Sequence, residues 1–417
     1  MVITGATSGI GLTTARMVAE QGAQLMLIAR NEDELSRLTN EINQGGGRAI
    51  HYAADVADER SLRDAAARAI SEFGRIDTWV NNAGVAIYGK LMEVSEEDSR
   101  KMFDTYFWGV VAGSRVAAEH LRENGGALIN LGSEVSDSPV PLIGMYAASK
   151  HAVKGFTDTL RMELESENLP ISVSLIKPTA IATPFSENAK NYLPFEPQVP
   201  QPVFAPELVA EAIIYCAQHP TRDFFVGEMA AMNSAMATYA PRLHDKLMES
   251  MAESMQNSGE PSTVNRRDGL HETNSQLRER FSTDRFVMET SVYQKAKLHP
   301  LITAGLLAGG GIAIASIFGK RIMKTDGYDR RQLQTGRNYM QDKGMKIAEH
   351  MEVVGSDGEH VGRVDKVEGD QIKLTKNDQE AGGQHHRISM DMVDTVDQNR
   401  VRLNRTAEDT MASWRSA

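Results

Sequence analysis

The eight residues Thr4-Gly5-Ala6-Thr7-Ser8-Gly9-Ile10-Gly11 constrain this chain more than any other stretch. The apolar residues Met1 to Ile3 precede them, and after one helix-length interval the apolar run Gln24-Leu-Met-Leu-Ile-Ala29 follows. A short strand, a glycine-spaced turn, a helix and a second strand form a right-handed crossover unit, which calls for a parallel sheet covered by helices. Gly5 permits the tight bend and Gly9 lets the backbone approach a pyrophosphate. Gly11 lets helix and strand pack closely, with the helix N-terminus facing the phosphates. As a bare pattern the turn is common, and the strand after it gives it weight. Three residues are few for a central strand, as if the first strand were truncated or its start codon placed late.

The alternation continues along the chain. Arg48 to Ala54 reads as a third strand ending in Asp55-Val56, and a helix at about 59 to 72 precedes a fourth strand, Ile76 to Val80, which ends in Asn81-Asn82-Ala83-Gly84. Ala127 to Leu131, Ile171 to Ile176 and Asp223 to Val226 supply further strands. The expected fold class is therefore α/β, a doubly wound parallel sheet with a ligand lying across the carboxyl ends of its strands.

The chemistry is expected between Ser133 and Lys150. Tyr146 and Lys150 are four residues apart, so on a helix they share a face one turn apart, close enough for the ammonium to act on the phenol. A free tyrosine with pKa about 10 is a poor proton-transfer group at neutral pH, and bringing it near 7 takes roughly 4 kcal/mol of differential stabilisation. A nearby lysine, helped by a cationic cofactor ring, supplies such an effect. Ser133 follows the run Ala127 to Leu131, which puts its hydroxyl at the mouth of a strand, where it can hydrogen-bond a carbonyl oxygen.

A serine thirteen residues before the tyrosine, the strand before it, the Tyr146-x-x-x-Lys150 pair, the Asn81-Asn82-Ala83-Gly84 tetrapeptide and the glycine turn together resemble the short-chain dehydrogenase/reductase family, over about the first 230 residues. The resemblance implies an oxidoreductase passing a hydride between a nicotinamide and a small-molecule carbonyl or alcohol. Tyr146 would be the general acid and base, Lys150 would tune it and hold the nicotinamide ribose, and Ser133 would position the oxygen. It implies dinucleotide contacts at Gly5, Thr7, Ser8, Gly9, Ile10, Gly11, Arg30, Asp55, Val56, Asn82, Ala83, Gly84, Tyr146, Lys150, Pro178 and Thr183. Among these, Asp55 would meet the adenine amino group and Thr183 the nicotinamide carboxamide. At the end of the second strand a carboxylate would accept from a ribose 2′-hydroxyl. This chain has Ala29 and Arg30 there, and an arginine suits a 2′-phosphate, so NADP is expected rather than NAD. A solvated loop arginine pairing with Asn31 to Glu34 is the competing reading of Arg30.

Two positions depart from the family pattern. Tyr106 stands where an asparagine is usual, three residues before Gly109, and Thr179 follows Pro178 where glycine is usual. That asparagine helps hold a water in a proton relay to the lysine. Tyr106 either hydrogen-bonds in its place or is a core aromatic that has crowded the water out. The proline- and aromatic-rich stretch from Phe185 to Pro206 reads as a substrate lid at the open end of the sheet.

At 417 residues the chain is too long for one core, so several domains are expected, and the organisation follows shifts in composition. Residues 1–243 form the oxidoreductase domain. Residues 244–297 read as a polar, partly helical linker, with methionines at 248, 251 and 255 as a packing stripe. Residues 298–324 hold an apolar helix with basic flanks, and residues 345–417 are a small β module. The stretch Leu301 to Phe318 is uncharged and as a helix spans about 27 Å, just short of the ~30 Å hydrocarbon core. It reads either as a membrane anchor or as a helix that docks on a partner. The last part resembles a small bacterial domain of unknown function of PRC-barrel type. Adjacent His385 and His386 point to opposite faces of a strand, so no metal site is expected.

The formal net charge of −11 excludes nucleic acid as an expected partner, and a single cysteine, Cys216, excludes an intramolecular disulfide and a cysteine zinc site. With no leader ahead of the glycine turn the catalytic part is expected in the cytoplasm, at the inner face of the membrane if residues 301–318 anchor it. A homo-oligomer is expected. A competing class of function is a weakly active NADP-binding scaffold or redox sensor working through the β module.

Overall fold

The computed structural model describes residues 1–263, 266–273, 277–281, 285–298, 347–368, 371–376, 378, 384–397 and 400–412. The apolar segment 301–318 lies outside them. No helix among the described residues is long and apolar enough to cross a membrane. The chain divides into two compact units, Met1–Gly310 and Gly311–Ala417.

The first unit opens with β1 (Val2–Thr4), α1 (Gly9–Glu20), β2 (Gln24–Ala29), α2 (Glu32–Gln44), β3 (Arg48–Ala53), α3 (Glu59–Phe73) and β4 (Thr78–Asn81). After β5 (Ile87–Tyr88), α4 (Glu96–Phe103) runs through a π-helical turn, Asp104–Trp108, into α5 (Gly109–Leu121). β6 (Gly126–Leu131), α6 (Gly144–Ser166) and β7 (Ile171–Pro178) follow. The stretch from Phe185 to Pro206 contributes β8 (Lys190–Asn191), β9 (Phe195–Pro197) and β10 (Val203–Phe204) before α7 (Pro206–Gln218) and β11 (Asp223–Val226). The unit closes with α8 (Glu228–Tyr239), α9 (Pro241–Gln256), β12 (Asn257–Pro261), β13 (Val287–Met288) and α10 (Val292–Leu298).

Seven parallel strands in the order β11-β7-β6-β4-β1-β2-β3 form the main sheet. Its inner strands are buried on both faces, and the period of two sorts their side chains between two cores. Leu25 and Leu27 of β2 join Ile3, Leu12, Val209 and Phe224 on the face of α1 and α7. Met26 and Ile28 join Leu62, Trp79, Val116 and Leu128 on the face of α3 and α5. The short β1 is extended by Met1, whose ammonium donates to the Gln24 carbonyl at 2.7 Å and whose carbonyl accepts from Met26 at 3.0 Å. Asn81 joins β4 to β6, its Nδ2 donating to Asn130 Oδ1 at 2.8 Å. Gly113 of α5 makes room, since a Cβ there would lie 2.1 Å from Asn81 Oδ1.

Residues 244–297 are not a linker. β12 pairs with β9, β13 pairs with β10, and Gln294 of α10 donates to the Leu208 carbonyl of α7 at 2.7 Å. The methionine stripe is also corrected. The side of α9 that is buried carries His244, Met248, Ala252 and Gln256 at four-residue spacing, whereas Met251 is exposed. Polar composition hid this, because the segment covers the first unit through backbone pairing and buried polar side chains more than through an apolar run.

The second unit is a six-stranded sheet in the order β17-β16-β15-β14-β19-β18, comprising β14 (Glu352–Val354), β15 (His360–Glu368), β16 (Gln371–Leu374), β17 (Arg387–Ser389), β18 (Val393–Val396) and β19 (Arg400–Leu403). With the short helix α11 (Ala407–Ala412) it closes over Val353, Val361, Val364, Ile372, Leu374 and Val401. No group of residues that could hold a metal occurs among the described residues.

Candidate active site

The carboxyl ends of β1, β2, β4, β6 and β7 converge on one cavity of about 300 Å³, which runs from the glycine turn to Ser133, Tyr146 and Lys150 and on to Thr183. All the positions expected to contact the dinucleotide line it, except Gly11. Gly11 acts one layer behind, where a Cβ would lie 2.2 Å from the Gly5 carbonyl oxygen. Gly5, at φ +67°, approaches the Asn82-Ala83 backbone so closely that a Cβ would come within 2.7 Å of Ala83 Cα. Asn82 locks the arrangement by donating through Nδ2 to the Thr4 carbonyl at 2.9 Å. Gly9 faces Thr183 across the cleft, at 3.0 Å from its Cβ to where a Cβ would stand. These bare backbone surfaces are the cradle a dinucleotide needs, and the residues present fit one.

Ser133 caps the 3-10 turn Glu134–Ser136 at the end of β6, with its Oγ accepting from the Val135 amide at 3.3 Å. Tyr146 and Lys150 lie in the first turns of α6. Burial pushes the Tyr146 phenol up to about 12, while the neighbouring Ser133 and Tyr106 hydroxyls pull the other way; the Ser133 hydroxyl itself donates to the Pro178 carbonyl at 3.5 Å. Lys150 is 3% exposed, and burial brings its ammonium down to about 7. It donates to the Leu131 carbonyl at 2.6 Å.

The pairing of Lys150 with Tyr146 differs from the expected one. The Lys150 nitrogen stands 4.1 Å from the centroid of the Tyr106 ring and 5.8 Å from that of Tyr146. Tyr106 and Tyr146 meet edge to face at 5.3 Å. The cause is the volume of Tyr106, which fills the space under Gly84; a Cβ there would lie 2.5 Å from its ring. Of the two readings of Tyr106, burial agrees with the core aromatic, since the side chain is 3% exposed and packs with Val85, Met102 and Leu270. Thr179, the other departure, donates to Glu134 Oε2 at 2.9 Å.

Arg30 and Asp55 are already engaged. Arg30 donates to the carbonyls of Gly269, Leu270 (3.3 Å) and Glu272 (3.1 Å), and Asp55 pairs with Lys101 at 3.2 Å. The Gly9 amide donates to the Arg278 carbonyl at 2.9 Å. Residues of the supposed linker therefore border the cleft, and Leu270 is buried in one cluster with Val85, Met102 and Tyr106. Sequence reasoning missed Gly269, Leu270 and Gln256 because nothing local marks them. It also missed Glu134, although an acid directly after the strand-end serine was a visible signal.

The short chain dehydrogenase family matches residues 1–193, and a family of uncharacterized proteins conserved in bacteria matches residues 347–411. The chain is 43% identical over 312 residues to an uncharacterized oxidoreductase, YxnA, of Bacillus subtilis, covering 74% of this chain and 88% of that one. It is 31% identical over 265 residues to dehydrogenase/reductase SDR family member 7B of Bos taurus, covering 60% of this chain and 81% of the relative. A short-chain dehydrogenase from Streptomyces avermitilis shares the fold, at TM-score 0.51 and 23% identity, over 61% of this chain and 96% of that one. The chain belongs to the short-chain dehydrogenase/reductase family and is an oxidoreductase. The similarity to YxnA is longer than the 243 residues expected for the first domain, in keeping with a first unit that continues through α10.

Proposed function

We propose that the chain is an NADP-dependent oxidoreductase that interconverts a carbonyl and an alcohol on a small molecule. The observation that carries this reading is that Ser133, Tyr146 and Lys150 line one cavity with the glycine turn. A nicotinamide dinucleotide, when bound, supplies the hydride. The turn from Gly5 to Gly11, with Thr7, Ser8 and Ile10, would hold its phosphates. Arg30 would hold the 2′-phosphate, and Asp55, Val56, Asn82, Ala83 and Gly84 the adenosine side. Pro178, Thr183, Tyr146 and Lys150 would hold the nicotinamide side.

Ser133 positions the substrate oxygen and Tyr146 moves the proton. Burial holds Tyr146 as a phenol at neutral pH, so it carries the proton that reduction of a carbonyl consumes, and a pKa near 12 is one that the bound state has to lower for fast transfer. Ser133 turns its one proton, which it otherwise gives to the Pro178 carbonyl at 3.5 Å, to the substrate oxygen, and as the proton leaves Tyr146 the neighbouring Tyr106 hydroxyl stabilises the phenolate left behind. Lys150 stabilises it through space from its seat on the Tyr106 ring.

A second reading, a cofactor-binding scaffold of low turnover, is favoured by the Arg30 and Gly9 donors being taken by the chain's own carbonyls. NADPH consumption with a panel of ketones and aldehydes separates the two. Turnover abolished by Tyr146→Phe supports the enzyme. Tight NADPH binding without turnover on any of them supports the scaffold.

A further inference from the structure

Beyond the atoms that take the reacting oxygen, the substrate end of the cavity is walled by apolar side chains, Tyr88, Val140, Ile143, Phe185 and Val199 among them. Two polar groups on that wall have an acceptor oxygen to spare. Glu134 follows Ser133, and its Oε2 accepts from Thr179 Oγ1 at 2.9 Å and Asn233 Nδ2 at 3.1 Å. Those two bonds fix the carboxylate, and no hydrogen bond among the described residues reaches its Oε1. Gln256 ends α9, and its Nε2 donates to the carbonyls of Pro141 at 2.9 Å and Ala252 at 3.1 Å. With the amide so oriented, Oε1 is left buried without a partner.

A buried acceptor left unmade costs about 1–3 kcal/mol, so a wall that keeps one beside a substrate cavity is a wall that a ligand's donor completes. Burial raises the Glu134 carboxyl above its ordinary range, and the Thr179 and Asn233 donors pull it back toward the carboxylate. The charged side chains that could neutralise an anion are elsewhere. Among the described residues lining the cavity, the cations are Arg30, at the glycine-turn end, and Lys150, beneath Tyr106.

We infer that Glu134 and Gln256 form a donor-reading subsite, so that the substrate is a hydroxylated ketone or the matching polyol and not a carboxylate or phosphate ester. The inference rests on the carbonyl–alcohol reading of the site and adds the substrate class. It also gives α9, which lies beyond the residues the family matches, a role in selecting substrate.

The test compares butan-2-one, 1-hydroxybutan-2-one and 2-oxobutanoate on the NADPH-loaded full chain, by titration calorimetry and by NADPH consumption. The hydroxyketone should bind at least ~10-fold tighter than butan-2-one, and the anion weakest, as expected for one hydrogen bond to a charged or buried acceptor. Glu134→Gln should gain about 10-fold toward 2-oxobutanoate by losing the like charge. Gln256→Met and Glu134→Leu should each shrink the hydroxyketone preference, and Gln256→Glu should retain it. Equal binding of hydroxyketone and ketone by the wild type, or a preference unchanged in both Glu134→Leu and Gln256→Met, overturns the subsite. A hydroxyketone preference in binding with no NADPH consumed by any ligand supports the subsite and counts against the reaction alone.

Discussion

The Lys150 ammonium sits 4.1 Å from the centroid of the Tyr106 ring, and that ring in turn meets Tyr146 edge to face at 5.3 Å. The residue that departs from the family pattern thus stands between the lysine and the phenol proposed to move the proton. Tyr106→Phe keeps the ring under the cation and removes only the hydroxyl, so if that hydroxyl supports the Tyr146 phenolate as proposed, kcat for reduction should fall by roughly 5- to 10-fold, the worth of about 1–1.5 kcal/mol of hydrogen bond. Tyr106→Asn restores the usual residue and also empties a buried aromatic site, at about 3 kcal/mol of stability or more. Steady-state rates and thermal unfolding of the two variants separate the parts. An unchanged kcat in Tyr106→Phe would remove the hydroxyl from the mechanism.

Much of this site was legible in the sequence because its determinants are local. Gly5, Gly9 and Gly11 report backbone that must come close to something, and Tyr146 and Lys150 report one helix face. The π-helical turn Asp104–Trp108 and the volume of Tyr106 move Lys150 onto a different partner, and four-residue spacing carries no information about a ring arriving from another helix. The contribution of α9 to α10 was invisible for a similar reason. Polar residues such as Gln256 and Gln294 are normally solvated, and only the carbonyls of Pro141, Ala252 and Leu208, far away in sequence, make their burial tolerable.

Arg30, proposed to hold the 2′-phosphate, is bound to the carbonyls of Gly269, Leu270 and Glu272, so its replacement tests cofactor choice and that segment together. Arg30→Ala should weaken NADPH by about 1.5–3 kcal/mol, as for a charged hydrogen bond, and leave NADH nearly unchanged. It should also free three carbonyls, so amide exchange in residues 269–273 should rise in the cofactor-free protein. Equal loss for both dinucleotides would show that Arg30 serves only the segment.

Lys150 makes stability depend on pH. Its ordinary pKa of 10.5 applies to the unfolded chain and about 7 to the fold, so between these values the unfolded chain binds more protons and stability rises with pH. The contribution is absent below pH 7 and complete above 10.5. Relative to Lys150→Met, the cofactor-free wild type should gain on the order of 2 kcal/mol between pH 7 and pH 9 in urea unfolding. A difference between the two proteins that stays flat across that range would show that the lysine is hydrated in the fold.

The segment from α9 to α10 should be indispensable to the first unit. Ser291 Oγ donates to Glu228 at 3.0 Å, Gln294 to the Leu208 carbonyl, and Lys297 to the Asp223 carbonyl at 2.5 Å, while Leu270 is buried against Val85, Met102 and Tyr106. Ending the chain after Leu298 keeps all of these, and ending it after Tyr239 removes them. Each large apolar side chain lost from burial is worth about 1.5–3 kcal/mol, and a unit of this size loses roughly 2–4 °C of Tm per kcal/mol. The shorter truncation should therefore melt more than about 10 °C below the longer one and expose apolar surface to a hydrophobic dye, whereas the longer one should bind NADPH like the full chain. Equal melting of the two truncations, with equal NADPH affinity, would return residues 244–297 to the status of an appended linker and take Gln256 out of the substrate cavity.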